Sequence, residues 1–358
     1  MERAQTIAFT KRRAIGTLLP TLLFLTSLVS CGGGNNPAPS PAAPKQLAVW
    51  TNSFNGIPFT MVGTDPSVAG AGTTNVGVEI IPVALNFSAA GIVISPDSIA
   101  CGDSDTPVDR VVNSPLFTTN PWMSFGVSLG NTQFGDAYQR ANFWSLVNST
   151  SPNYHVMLQP VKVLQTITVD VPPNIGATLS PSPTCPSQVI GGIPSSLMDS
   201  AVQNAITQFN ITSDTLPIFL TYDVTFVPQN FLGYHSVQGN QSYIVASYID
   251  VGFNGLPQVI ASDVAVLSHE IGEWMNDPLL GNFVPPWGGI GIEPGCSNVL
   301  EVGDPLSANI FPIGTSSFTY HIQELAYFSW FSRNSPSLAV NGMYSTLGSF
   351  AGPAPPCP

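Results

Sequence analysis

In the run Leu267-Ser268-His269-Glu270-Ile271-Gly272-Glu273-Trp274-Met275-Asn276-Asp277-Pro278, three side chains have the types and spacing that metal chemistry needs. On a helix, residues four apart lie one above the other. His269 and Glu273 therefore point the same way and can hold one divalent ion. Glu270 sits beside His269, where a carboxylate can reach a water on that ion and act as a general base. Between Lys162 and Arg333 the chain contains no Lys or Arg, so Glu270, Glu273, Asp277, Glu301 and Asp304 have no cation close in sequence. The helix carrying Glu270 and Glu273 is otherwise apolar (Val264, Val266, Leu267, Ile271, Trp274), and carboxylates buried without partners on such a face are costly. A bound ion removes that cost. Full solvent exposure of the carboxylates is the alternative.

The pattern resembles the His-Glu-x-x-His helix of zincin-type zinc peptidases, in which two ligands share one face beside a carboxylate base. Here Glu273 replaces the second histidine. Glutamate ligates zinc through oxygen, but its charge leaves a bound water less acidified. Oxygen-rich ligation also suits manganese, iron or calcium. The third ligand of the three-histidine subclass comes six residues after the second, and that position is Leu279, which cannot serve. Resemblance to the glutamate subclass implies a ligand from a later segment. It points to Glu301 in Leu300-Glu301-Val302-Gly303-Asp304, with Asp304 steadying a ligand by hydrogen bond. Asp277 is the rival third ligand, and Glu293 is a poorer one. The same resemblance implies His321, or else Tyr320, as hydrogen-bond donor to the oxyanion of a tetrahedral intermediate. Ser268-His269-Glu270-Ile271-Gly272-Glu273, Asn276-Asp277-Pro278, Glu301-Val302-Gly303-Asp304 and Ser329-Trp330 together also resemble the secreted plant phosphate-induced, Exordium-like proteins and their bacterial relatives.

The elements that must position these residues follow from hydrophobic periodicity. Residues 263–276 read as a helix with Asp263 as N-cap, stopped by Pro278. A Gly/Pro-rich loop follows to residue 294, and a last helix spans 321–331. Upstream, 216–226 and 242–251 read as strands, and 197–209 as a helix capped by Ser195-Ser196. The 242–251 strand is expected near the active helix, where strands of zincin-like enzymes take extended peptide at a sheet edge. Strands at 46–53, 76–87 and 156–171, with one helix at 135–147, make the preceding region β-rich. His155 and His235 stand alone and read as structural histidines. The expected class is α+β, with a β-rich region at 46–171 and a zincin-like metal-binding region at 172–358.

Residues 1–30 read as an address. Arg3, Lys11, Arg12 and Arg13 precede an apolar, uncharged run from Ala14 to Ser30. Leu28-Val29-Ser30-Cys31 resembles a bacterial lipobox, which implies cleavage before Cys31 and a lipid on its sulfur. Residues 31–45 then form a flexible Gly/Pro/Ala linker. Cys101, Cys185, Cys296 and Cys357 are an even set in an exported chain and suggest two disulfides, with Cys101–Cys185 and Cys296–Cys357 favoured by proximity. The formal charge is −12. Such an acidic chain has no basic surface for nucleic acid or anionic lipid, so any membrane link is the lipid itself.

The expectation is an exported protein, lipid-anchored in the cell envelope and facing the periplasm or exterior. It would hydrolyse peptide or another envelope substrate with zinc. The alternative is a non-catalytic envelope or surface binding protein on a zincin-like scaffold.

Overall fold

The computed structural model describes residues 45–99, 103–179, 189–250, 261–291 and 293–357. The expected export signal, Cys31, Cys101 and Cys185 lie outside them.

The fold is organised around one long strand, Thr73–Phe87, whose second half is an almost unbroken apolar run buried on both faces. One of its edges pairs in parallel with Thr215–Tyr222. That strand pairs in parallel with Gln241–Tyr248, which in turn pairs antiparallel with the edge strand Gly233–Gln238. The opposite edge of Thr73–Phe87 receives three short parallel strands in succession, His155–Leu158, Lys162–Val163 and Ile167–Val171. Sequence pattern suggests one strand over 156–171. Pro160, which has no N–H for the ladder, helps to explain why it is interrupted. The sheet joins residues on both sides of the 171/172 boundary drawn from sequence.

The helix Ala265–Asn276 is buried along its whole length. It packs on Gln241–Tyr248, where Trp274 Nε1 donates to Ser242 Oγ at 2.9 Å. The helix Phe134–Asn142 also packs against it. Helices and strands follow no regular βαβ alternation, so the class is α+β.

Three elements differ from the sequence reading. The helix expected at 135–147 breaks at Phe143 (φ −115°, ψ 28°) into Phe134–Asn142 and Trp144–Ser149. The Gly/Pro-rich stretch after Pro278 is a hairpin, Phe283–Ile290 with Glu293–Val299. The helix expected at 321–331 survives only as Phe328–Phe331, because Thr319–Gln323 pairs antiparallel with Ile310–Gly314. Cys296 and Cys357 form a disulfide that fastens the C-terminal tail to the hairpin. Among the described residues, no helix is long and apolar enough to cross a membrane.

Candidate metal centre

The helix bearing His269 is anchored at both ends by carboxylates that the sequence suggested for other work. Asp263 is not its N-cap; the chain turns there with φ +38°, and Val264 takes that position. Asp263 Oδ1 accepts from the backbone N–H of Val264 at 2.6 Å and of His321 at 2.8 Å. Its Oδ2 lies 2.6 Å from His321 Nδ1. At the other end, Asp277 Oδ1 accepts from the N–H groups of Gly281 at 2.8 Å and Asn282 at 3.2 Å. Asp277, the rival third ligand, therefore shapes the turn after the helix. Glu293 accepts from Gly295 N–H within its hairpin.

Between these anchors, His269 and Glu273 meet as their spacing requires, with His269 Nε2 3.1 Å from Glu273 Oε1. Asp304 Oδ1 joins them, 3.4 Å from the same nitrogen. The other ring nitrogen, Nδ1, lies 3.1 Å from Gln323 Oε1. With Nδ1 donating to this amide oxygen, an ion that displaces the proton on Nε2 would find its lone pair directed at Glu273 and Asp304. The Gln323 amide is itself oriented, since its Nε2 donates to Gly303 O at 2.8 Å. Gly303 lets the chain press against the imidazole, and its N–H donates to Glu273 Oε1 at 3.2 Å.

A second group forms on the far oxygen of Glu273. His235, from the edge strand, places Nδ1 3.4 Å from Glu273 Oε2 and 3.5 Å from Glu270 Oε2. The strand approaches this closely because residue 233 is glycine: a Cβ there would lie 2.7 Å from Val266 Cγ1 and 3.0 Å from Glu270 Oε1. His269, Glu273 and Asp304 form one set of potential ligands, and His235, Glu270 and Glu273 another, with the ligand atoms of each within 4.8 Å of one another. Ligands bonded tetrahedrally at ~2.0–2.1 Å stand about 3.4 Å apart. The histidine-to-carboxylate separations of 3.1 to 3.5 Å match that edge, and the carboxylate oxygens of each group lie within 4.8 Å of each other, so the donor types and their closeness fit a small divalent ion.

The two later acids are placed differently with respect to His269. Asp304, expected to steady a ligand, brings its oxygen to His269, carried there by a short 3-10 turn at Asp304–Leu306. Glu301, expected to ligate, is buried but belongs to neither group. His321 is fastened to Asp263 and belongs to neither group, although it lies two residues before Gln323 on the same strand. Tyr320 is buried with its ring on Phe318. His155 Nδ1 lies 2.8 Å from Asp136 Oδ2 and belongs to neither group. His235 is not isolated, contrary to the sequence reading. Neither His235 nor Gln323 carries a local motif; both join the site only through strand pairing.

Charge explains why these groups stay together. Burial opposes a charged His269, but Glu273, Asp304 and Glu270 outweigh it and hold the imidazole pKa well above its ordinary value. Burial equally opposes the Glu273 charge, and His269 with His235 outweighs it, holding the carboxyl well below the usual carboxylate range. Long cationic side chains are engaged elsewhere. Arg110 pairs with Asp105, Lys162 with Glu79, and Arg140 and Arg333 bind backbone carbonyls.

One expectation about substrate is corrected. The strand predicted at 242–251 does lie beside the helix Ala265–Asn276, but it is an inner strand, paired with Gly233–Gln238 over 241–246 and with Thr215–Tyr222 over 244–248, so it is not the sheet edge. Gly233–Gln238 is the outer strand of this sheet. No protein-family model matches the chain, and neither does any curated protein or solved structure.

Proposed function

We propose that the chain is an exported, lipid-anchored metal-dependent hydrolase, a zinc peptidase on a zincin-like scaffold, with Cys31 as the lipid site. The observation that carries this reading is the convergence of His269, Glu273 and Asp304 in one buried group, with the two carboxylates 3.1 and 3.4 Å from His269 Nε2. A divalent ion held there supplies Lewis acidity, polarising a carbonyl and acidifying a water. Glu270 Oε2 makes no hydrogen bond and is the oxygen suited to take a proton from the attacking water and return it to the leaving amine. His235 Nδ1, 3.5 Å from that oxygen, steadies the carboxylate. His321, whose ring Asp263 holds through Nδ1, would donate from Nε2 to an oxyanion as the doubly protonated ring, since a neutral ring donating from Nδ1 has no proton there. Its side chain is 28% exposed, whereas those of the three ligands are nearly closed off.

That closure favours a second reading, a non-catalytic envelope protein with a structural ion, because structural zinc sites are closed and catalytic ones keep an open position. Metal content by plasma mass spectrometry, on the form lacking residues 1–31, tests both. About one zinc per chain is expected in the parent and in Glu301→Ala, with loss in Glu273→Ala and Asp304→Ala. Glu270→Gln should keep the ion and abolish peptide hydrolysis. Absence of hydrolysis in both parent and Glu270→Gln, with the ion still bound, would select the structural reading. A parent that binds no divalent metal sinks both.

A further inference from the structure

Glu273 faces two histidines at once. Its Oε1 lies 3.1 Å from His269 Nε2, and its Oε2 lies 3.4 Å from His235 Nδ1. Glu270, on the same face of the helix Ala265–Asn276, brings its Oε2 to 3.5 Å from that nitrogen of His235. An ion held by His269, Glu273 and Asp304 therefore needs only one oxygen of Glu273. The other oxygen, with His235 and Glu270, completes a second set of donors, all buried and within 4.8 Å of one another.

The spacing of this second set is that of ligands rather than of a closed ion pair. Elsewhere in the chain, histidine and carboxylate approach to hydrogen-bond length, 2.8 Å for His155 with Asp136 and 2.6 Å for His321 with Asp263. His235 instead stands 3.4 and 3.5 Å from its two carboxylates. Ligands at ~2.0–2.1 Å from a tetrahedral ion have an edge of about 3.4 Å. Glu270 Oε2 is buried and completes no hydrogen bond. The strand Gly233–Gln238 comes close enough to deliver His235 because residue 233 lacks a Cβ, which would lie 3.0 Å from Glu270 Oε1. Charge points the same way. With neutral imidazoles, one divalent ion leaves one negative charge uncompensated among Glu270, Glu273 and Asp304. Arg110, Lys162, Arg140 and Arg333 are all engaged elsewhere.

We propose that His235, Glu270 and Glu273 bind a second divalent ion, with Glu273 bridging it to the first through its two oxygens. The inference rests on the metal-dependent reading of the site. Two-metal centres place their ions about 3.5–4 Å apart, a span that one carboxylate bridges. The second ion binds more weakly, because the first has already offset most of the negative charge. It also occupies the Glu270 oxygen that would take a proton from the attacking water, so filling the second set slows hydrolysis. Excess metal thus restrains the site that one ion activates.

Zinc titration of the purified protein, followed by calorimetry and by plasma mass spectrometry after dialysis, tests this. The bound zinc should rise from about one to about two per chain, the second taken up more weakly. His235→Asn and Glu270→Gln should keep the first ion and lose the second. His155→Gln and His321→Gln, which alter the two part-exposed histidines, should keep both. Cobalt in place of zinc needs no variant: the first equivalent should give the paramagnetic resonance of an isolated ion, and the second should diminish it by coupling through Glu273. Peptide hydrolysis by the one-zinc form should fall by about a hundredfold or more as the second ion binds, the scale of losing a general base. One ion and no more overturns the inference alone and leaves His235 as a protonated partner of the two glutamates. A second ion that persists in both His235→Asn and Glu270→Gln, an uncoupled cobalt pair, or undiminished hydrolysis also overturns it. No ion at any zinc concentration sinks the metal reading itself.

Discussion

The imidazole of His269 rests against Gly303 so closely that a Cβ at that position would lie 2.5 Å from Nδ1. Glycine at 303 is thus part of how the histidine is aimed, together with Gln323 on the same nitrogen. Gly303→Ala should push the ring away from Glu273 and Asp304. We expect loss of bound metal with retained secondary structure, and a stability cost of about 1–3 kcal/mol from overpacking. Metal analysis beside circular dichroism checks this. Full metal content in the variant would show that the ring does not need that space.

Asn282 joins the N-terminal hairpin Val49–Phe54/Ile57–Val62 to the end of the metal-centre helix. Its side chain accepts from Thr60 N–H at 2.7 Å and donates to the carbonyls of Thr60 and Asn276. Asn282→Ala strands these backbone groups at a part-buried site. A loss of about 2–4 kcal/mol is expected, since each stranded group costs roughly 1–3 kcal/mol. Urea unfolding measures it, and faster proteolysis within the 49–62 hairpin should accompany it.

The Cys296–Cys357 bond closes a segment with a sequence separation of 61. A loop of that length corresponds to about 4 kcal/mol of stabilisation in the chain-entropy account. Cys357→Ser should lower the unfolding free energy by up to this amount. The tail has other ties: Ala354 N–H donates to Trp330 O at 2.9 Å, and Arg333 Nε donates to Ala354 O at 3.0 Å. A variant as stable as the parent under oxidising conditions would mean that these contacts hold it alone.

Alkaline pH should unfold the protein through its tyrosines. Burial is the first cause of raised phenol pKa values at Tyr138, Tyr154, Tyr222, Tyr234, Tyr243, Tyr248, Tyr320 and Tyr327, with Tyr243 and Tyr320 pushed up to about 12. A pKa raised by folding means that the native state holds its proton more tightly. The resulting stability is complete below the unfolded value of about 10 and is lost as pH rises through the folded values. Tyrosinate absorbance should therefore lag a model-peptide titration and then rise together with loss of secondary structure. Phenols that titrate near pH 10 in a still-folded protein would contradict this.

The helix at the centre of the site was legible because its signal is local. His269, Glu270 and Glu273 share one turn, and periodicity placed that turn correctly. Asp304 was legible as a partner of His269, but that Glu301 would lie outside both groups was not, because a short turn after Gly303 decides which of the two acids faces the histidine. His235 and Gln323 were not legible as site residues, since register between strands brings them in. Residues 321–323 were misread as helix because the strand they end, Thr319–Gln323, is too short for its alternation to separate the two periodicities. The outer position of Gly233–Gln238 also depends on pairing partners that no local pattern specifies.

Because the groups around Glu273 come from an edge strand, a helix, a 3-10 turn and a paired strand spread from His235 to Gln323, no short piece of the chain carries the site. The long-range sheet must close before the donors meet, and closures of that kind are slow. Ion affinity is then folding free energy, acquired in the last steps. If the chain is exported and binds an ion as proposed, it would stay protease-sensitive until it has both folded and met that ion, so metal supply outside the cell would govern how much of the protein accumulates.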